Sequence, residues 1–169
     1  RSISPLVKTV GVFVNEQPSK IREIVGFCAL DLVQLHGNES ASACSEVGPR
    51  VIKAFRVQGE ETLNEIANYK DHVRAILLDA YQQGINGGTG RTFDWELALK
   101  AKESGIPMVL SGGLRPENIR EALERVAPSA IDVSSGIEKR PGIKDHERMG
   151  MFMEKVSDFH RNPRSIGDT

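Results

Sequence analysis

The sequence predicts an α/β fold, a (β/α)8 TIM barrel of which six βα units are present. Six apolar runs of strand length alternate with helix-like segments, and this alternation is typical of a parallel sheet that is buried on both faces. Two glycine-bearing turns, Ser111-Gly112-Gly113 and Ser134-Ser135-Gly136, follow the last two runs. In (β/α)8 barrels the loops after strands seven and eight usually bind phosphate, so these turns favour a barrel.

Each predicted strand is a short apolar run rich in valine or isoleucine, and a helix-like segment follows it. Two of the helices have clear start signals, Asp94 before Trp95 and Pro116 before Glu117. The predicted strands are residues 7–14, 32–36, 51–57, 75–80, 107–110 and 130–133. The predicted helices are residues 18–27, 40–47, 60–69, 95–104, 116–126 and 144–161.

Periodicity alone does not distinguish a barrel from an open doubly wound sheet. An open dinucleotide-binding sheet would have a G-x-G-x-x-G turn after its first strand and an acidic residue about 20 residues later. After the first predicted strand this chain reads Asn15-Glu16-Gln17-Pro18, which contains no glycine. The candidate anion-binding turns instead follow the last strands, where a barrel has them.

The two glycine-bearing turns are suited to bind an anion. Glycine lets the backbone approach a ligand closely, and a helix N-terminus adds partial positive charge. Either turn alone could be an ordinary connection between a strand and a helix, but two in succession, one repeat apart, favour a phosphate site. Its predicted residues are Gly112, Gly113, Ser134, Ser135 and Gly136.

Three polar residues at strand ends are candidates for substrate chemistry. Asp79 follows three aliphatic residues, a desolvated setting that favours the protonated carboxyl group and suits a general acid. It could also simply cap the next turn. Asp132, in the last predicted strand, is expected to anchor the substrate site rather than transfer a proton. His36 either contacts the substrate or orients its loop.

Composition indicates one domain, residues 1–169, with a small molecule as its partner. The glycine-bearing turns indicate that this domain is a barrel and that the molecule carries a phosphate. The chain is 39% hydrophobic and 27% charged, with a net charge of −1, so we expect no binding to nucleic acid or to a membrane.

Cys28 and Cys44 cannot form a disulfide framework or a metal site on their own, and both are predicted to be packed core thiols. No signal peptide appears, and we expect a cytoplasmic protein without a metal or a cofactor.

The segment 84–91, glycine-rich and irregular, follows the strand that ends at Asp79. It is either a flexible connector or an active-site lid.

Eight segments of the chain, from about Val7 to Phe159, resemble phosphoribosylanthranilate isomerase in order and in spacing. They are Thr9-Val10-Gly11-Val12-Phe13-Val14-Asn15, Val33-Gln34-Leu35-His36-Gly37-Asn38-Glu39, Ile52-Lys53-Ala54, Leu77-Leu78-Asp79, Gly87-Gly88-Thr89-Gly90-Arg91-Thr92-Phe93-Asp94-Trp95, Leu110-Ser111-Gly112-Gly113-Leu114, Asp132-Val133-Ser134-Ser135-Gly136 and Pro141-Gly142-Ile143-Lys144-Asp145. The resemblance implies a (β/α)8 barrel of tryptophan biosynthesis that converts N-(5'-phosphoribosyl)anthranilate to 1-(2-carboxyphenylamino)-1-deoxyribulose 5-phosphate by an Amadori rearrangement.

The resemblance also implies roles for individual residues. The family's mechanism needs a general acid, which protonates the ribose ring oxygen, and a base, which removes the C2' proton. The position of the acid is Asp79. The family's base is a cysteine in a Lys-x-Cys-Gly motif, which residues 1–169 lack. Because neither Cys28 nor Cys44 stands in that context, the base is assigned to neither of them.

The family has two strands and a helix before anything that matches Val7. Residues 1–5 resemble the stretch after its second strand, where an arginine contacts the substrate, so Arg1 is predicted to bind substrate. A barrel without two adjacent strands would expose two sheet edges and its apolar interior. We therefore expect either a longer polypeptide, with an N-terminal βαβ segment and a second helix, or a deliberate fragment.

Two other functions stay open from the sequence. One is a phosphate-binding barrel without catalysis, because the family's base is not in view. The other is a related barrel enzyme for phosphoribosyl compounds, such as the histidine-pathway isomerase or indole-glycerol-phosphate synthase. The segments 87–90 and 93–95 favour phosphoribosylanthranilate isomerase over the second. A monomer or a homodimer is expected.

Overall fold

Six parallel strands form one sheet in which the spatial order follows the chain order. The computed structural model describes residues 4, 6–57, 59–79 and 95–162. The strands are β1 Val10–Phe13, β2 Leu32–Leu35, β3 Val51–Arg56, β4 Ala75–Asp79, β5 Met108–Ser111 and β6 Ala130–Ile131. The helices are α1 Pro18–Cys28, α2 Ala41–Val47, α3 Glu60–Ala67, α4 Trp95–Lys102, α5 Ile119–Val126 and α6 His146–Arg161. The predicted α/β alternation is therefore confirmed.

The last part of the chain contains a hairpin that the sequence did not predict. A 3-10 turn, Ser135–Ile137, leads into the antiparallel strands β7 Glu138–Arg140 and β8 Ile143–Lys144. The final helix therefore begins at His146 rather than at Lys144. The side chain of Asp145 caps it, because Oδ1 accepts hydrogen bonds from the N–H groups of the second and third helical residues at 3.0 and 3.2 Å.

Helix α5 also begins later than predicted. Its first residue is Ile119, and Pro116 lies in the turn before it. The side chain of Asn118 stabilises that turn, since its Oδ1 accepts from the N–H of Arg115 at 2.9 Å and its Nδ2 donates to the carbonyl of Gly113 at 3.0 Å. A proline after a glycine-bearing turn is thus part of the turn, not the first residue of the helix.

The two faces of the sheet have different environments, because side chains alternate along each strand. Leu35, Ile76 and Met108 lie at one level across the sheet and are buried in the core beneath the helices. Ala54 and Leu77 are buried on the opposite face and lie outside that core cluster. We call this second face the inner face, since it corresponds to the interior of a barrel.

The described sheet has two edges, because β1 and β6 each pair with only one other described strand. Val10 and Val12, on the inner face of β1, are solvent-exposed, and so is Val14, which follows the strand. The N-terminal ends of β1 and β2 are tied together by Asp31. Its carboxylate accepts from the N–H of Thr9 at 2.8 Å and pairs with Lys8 at 2.9 Å. These contacts lower the pKa of Asp31 to about 2; the hydrogen bond from the Thr9 N–H has the largest effect, and that from Lys8 the next largest.

The two cysteines differ in their environments. Cys44 is buried in α2, as predicted. The prediction that Cys28 is a packed core thiol was wrong, because it is the last residue of α1, next to the exposed Phe27, and its side chain is exposed. Among the helices that the structure describes, none has the length and apolar character needed to cross a membrane.

Candidate active site

The structure brings Asp79, His36, Ser111 and Asp132 to the C-terminal end of the sheet, on its inner face. Asp79 is the last residue of β4 and lies opposite Ser111, the last residue of β5. The hydroxyl of Ser111 donates to Oδ2 of Asp132 at 2.9 Å. His36 follows β2, and its Nε2 is 3.5 Å from Oδ2 of Asp79. This end of the sheet carries the active site in barrel enzymes, so these residues form the candidate site.

The imidazole of His36 is held in a defined orientation. Gln34 Nε2 lies 3.0 Å from His36 Nδ1, and an amide nitrogen can only donate, so Nδ1 accepts. In the neutral ring the proton therefore sits on Nε2, which faces Asp79. The backbone N–H of His36 donates to the carbonyl of Phe13 at 2.8 Å. The structure places the His36 ring beside Asp79, and the contact of His36 with a substrate stays a prediction.

The turn after β5 contains two successive glycines in the left-handed region of backbone conformation. Gly112 and Gly113 have φ angles of 81° and 66°, in the left-handed region that glycine adopts without strain. Within the described part of the chain, the N–H groups of these two glycines donate to no other residue. A Cβ added to Gly113 would meet no described atom within 4 Å, so the described part of the chain leaves room for a ligand at this position.

Two cationic side chains donate hydrogen bonds to carbonyl groups of the turn after β6. Lys144 Nζ donates to the carbonyl of Ser134 at 2.9 Å, and Arg148 Nε donates to the carbonyl of Gly136 at 3.1 Å. A Cβ at Gly136 would lie 1.8 Å from the carbonyl oxygen of Leu114, so only glycine fits where the two turns meet. The five residues of the predicted phosphate site thus lie on two touching turns.

A buried ion pair beside the site was missed in the sequence. Lys53 Nζ lies 3.3 Å from Oε2 of Glu39, and the two side chains are 3% and 5% exposed. Lys53 is on β3, on the helix-packed face, where its Nζ also lies 5.2 Å from the centroid of the Phe55 ring. The available signal in the sequence was a lysine between the apolar residues Ile52 and Ala54 of a strand, because a buried charge needs a partner.

Some predicted features cannot be placed. Arg1, the segment 84–91 and the predicted helix cap Asp94 all lie outside the described residues. The described residues contain no group of three or more histidine, cysteine or acidic side chains that could hold a metal ion.

The comparisons with known proteins agree on one family. The family profile described as N-(5'phosphoribosyl)anthranilate (PRA) isomerase matches residues 1–155 of this chain. The chain belongs to the PRA isomerase family. The enzyme called N-(5'-phosphoribosyl)anthranilate isomerase in Geobacter metallireducens is 50% identical over 154 residues, which are 91% of this chain and 75% of that relative.

Solved structures of PRA isomerases share the fold. The crystal structure of the Thermotoga maritima enzyme matches with a TM-score of 0.82 and 43% identity, over 92% of this chain and 76% of that one. A PRA isomerase in complex with reduced 1-(o-carboxyphenylamino)-1-deoxyribulose 5-phosphate matches with a TM-score of 0.78 and 41% identity, over 92% and 74% of the two chains. The predicted family and the barrel fold class are therefore confirmed.

Proposed function

We propose that this chain catalyses the Amadori rearrangement of N-(5'-phosphoribosyl)anthranilate to 1-(2-carboxyphenylamino)-1-deoxyribulose 5-phosphate, a step of tryptophan biosynthesis. The observation that carries the proposal is the approach of His36 to within 3.5 Å of Asp79. It occurs at the same end of the sheet as the two touching glycine turns, in a chain of the PRA isomerase family.

Asp79 is the general acid of the proposed mechanism. Its proton goes to the ring oxygen of the ribose, the bond between C1' and that oxygen breaks, and the nitrogen lone pair forms a protonated Schiff base. A base then removes the proton from C2' to give an enol-amine. The enol-amine takes up a proton at C1' and loses the proton of its 2'-hydroxyl, which leaves the ketone at C2'. C2' is oxidised while C1' is reduced in the same molecule, so the atoms and electrons balance without a cofactor.

The remaining predicted residues bind the substrate. The N–H groups of the turns at Gly112–Gly113 and Ser134–Gly136 hold the phosphate. The N–H groups of Gly112 and Gly113, which donate to no other described residue, support this role. Asp132, oriented by Ser111, and His36 contact the ribose. Arg1 is assigned to the substrate by its resemblance to the family's arginine alone.

Isomerase activity can be tested directly on the complete polypeptide. Incubation with N-(5'-phosphoribosyl)anthranilate is expected to yield the ketose product, detected as a new carbonyl carbon by NMR. Expression should also restore growth without tryptophan to a bacterial strain that lacks this isomerase. If the protein binds the reduced product analogue but does not convert N-(5'-phosphoribosyl)anthranilate, it is a phosphate-binding barrel without catalysis.

Neither described cysteine is expected to serve as the base. Burial raises the pKa of Cys44 to about 11, so its thiolate is scarce at neutral pH. Cys28 ends α1, where the chain turns back toward the start of β2, at the opposite end of the sheet from Asp79. Alkylation followed by peptide mapping should label Cys28 equally with and without the product analogue and should leave Cys44 unlabelled. Protection of either thiol by the analogue would contradict this assignment.

A single phosphorylated small molecule is the proposed partner, and the solved relative with a bound product analogue supports this choice. The expected cytoplasmic location and the expected monomer or homodimer stay predictions.

A further inference from the structure

The buried Glu39–Lys53 pair lies next to the candidate site without lining it. Lys53 projects from the helix-packed face of β3, level with Leu35 and Ile76, whereas Asp79 and His36 lie on the inner face. Both side chains of the pair are almost fully buried. The pair therefore has no direct access to a ligand in the barrel mouth, and any effect on the reaction must pass through its neighbours.

The pair binds both backbone groups of Gly37, the residue that follows His36. The Glu39 carboxylate accepts from the Gly37 N–H at 3.0 and 3.1 Å, one distance for each oxygen. Lys53 Nζ donates to the carbonyl of Gly37 at 2.8 Å. A shift of either partner therefore moves the backbone on which the imidazole is mounted.

The same pair also contacts the backbone just after β1 and the backbone of β3. Glu39 accepts from the N–H of Asn15, after β1, at 2.7 Å, and Lys53 donates to the carbonyl of Ala54, in β3, at 2.8 Å. Asn15 in turn accepts from the N–H of Asn38 at 2.7 Å through Oδ1. A Cβ on Gly37 would lie 2.2 Å from that oxygen, so the packing around this loop leaves no room for displacement.

The surroundings of Glu39 favour its carboxylate form. Burial alone would raise the pKa of Glu39, but the N–H groups of Asn15 and of Glu39 itself, together with Lys53, lower it below the ordinary value of 4.5. A buried ion pair is weak evidence for stability, because neutral groups of similar size are often as stable in its place. A role in fixing geometry accounts better for its position.

We propose that the Glu39–Lys53 pair positions His36 against Asp79 and so controls the rate of the isomerisation rather than the stability of the fold. The proposal rests on the proposed function. His36 Nε2 lies only 3.5 Å from Asp79 Oδ2, and a misplacement of about 1 Å in a catalytic site can cost about 10²-fold in rate. Glu39 and Lys53 are positioning residues in this scheme, because neither of them touches the substrate.

The decisive variant is the double substitution Glu39→Gln with Lys53→Met in the complete polypeptide. It leaves no unpaired buried charge, but it removes the donor to the Gly37 carbonyl. We expect kcat to fall by about 10²-fold, with KM and the melting temperature close to those of the unaltered protein. In NMR spectra the ring signals of His36, assigned by their loss in His36→Gln, should shift.

The matched control is Asp31→Asn with Lys8→Met. This pair also joins a lysine to a carboxylate that accepts from backbone N–H, but it lies at the N-terminal end of β1 and β2. The control should leave kcat and the ring signals of His36 unchanged. If the first double variant does not fold, Glu39→Asp is the second test, because it keeps the charge but shortens the reach to Gly37. Its kcat should also fall, with shifted ring signals.

Unchanged kcat and unchanged His36 signals in a folded double variant would overturn the proposal. So would a loss of kcat that only follows a loss of stability, as would a fully active Glu39→Asp protein with unmoved ring signals. If the unaltered protein does not isomerise the substrate, the proposed function is wrong, whereas the His36 signals still decide whether the pair positions the ring.

Discussion

The Asp79→Asn variant is expected to lose about 10²- to 10⁴-fold in kcat with little change in KM. Asparagine keeps the size of the side chain and can still hydrogen-bond, but it has no acidic proton for the ribose ring oxygen. Ring opening then lacks its proton donor, while the contacts that hold the phosphate are unaltered. Steady-state kinetics on the purified protein measure both constants.

Asp31→Asn is the matched control for this prediction. Asp31 is a carboxylate of the same sheet, at the opposite end of β2, and it contacts Thr9 and Lys8 rather than the site. Its loss should leave kcat unchanged. The variant Asp79→Asn could retain more than about a tenth of the original kcat, which is far above the residual activity that we expect. In that case Asp79 is structural and the acid lies elsewhere.

The Gly113→Asp variant is expected to bind the reduced product analogue about 10³-fold more weakly. Gly113 has a φ of 66° and open space where a Cβ would point, so a carboxylate there would face the proposed phosphate. Two like charges about 4 Å apart, at an effective dielectric constant of about 20, repel by about 4 kcal/mol, which corresponds to about 10³-fold in affinity. Calorimetric titration measures the change.

Gly105→Asp controls for the strain that any side chain causes at a positive φ. Gly105 has a φ of 72° and equally open surroundings, but it lies between α4 and β5, before the strand rather than after it. Both variants should unfold at similar temperatures, and only Gly113→Asp should lose affinity. Unaltered affinity in a folded Gly113→Asp protein would remove the phosphate site from this turn.

The fold could be predicted because strand and helix signals are local in this chain. Apolar runs such as residues 75–80, alternating with helix-like segments, indicate the elements without knowledge of distant contacts. The hairpin of β7 and β8 was missed because its strands are two or three residues long and largely polar. What stabilises it is non-local, including the pairing of Lys144 with Glu138 and with the carbonyl of Ser134.

The candidate site could be predicted only in part, for a similar reason. Asp79, His36 and the glycine turns each end a strand, and parallel strands bring their C-terminal ends together. Glu39 and Lys53 are 14 positions apart in sequence and meet through the tertiary fold. The exposure of Cys28 likewise depends on how the end of α1 is oriented, which the apolar neighbours of a cysteine in the sequence do not reveal.

The contact between Gly136 and the Leu114 carbonyl has a consequence for the entropy of binding. If the two turns hold the phosphate as proposed, their close approach organises the site before any ligand arrives. Flexible loops lose conformational freedom when they close on a ligand, and that loss weakens affinity. On this proposal folding has already fixed the turns, and the bound phosphate would then hold one end of the substrate in place. The ribose ring at its other end then has few orientations available relative to Asp79.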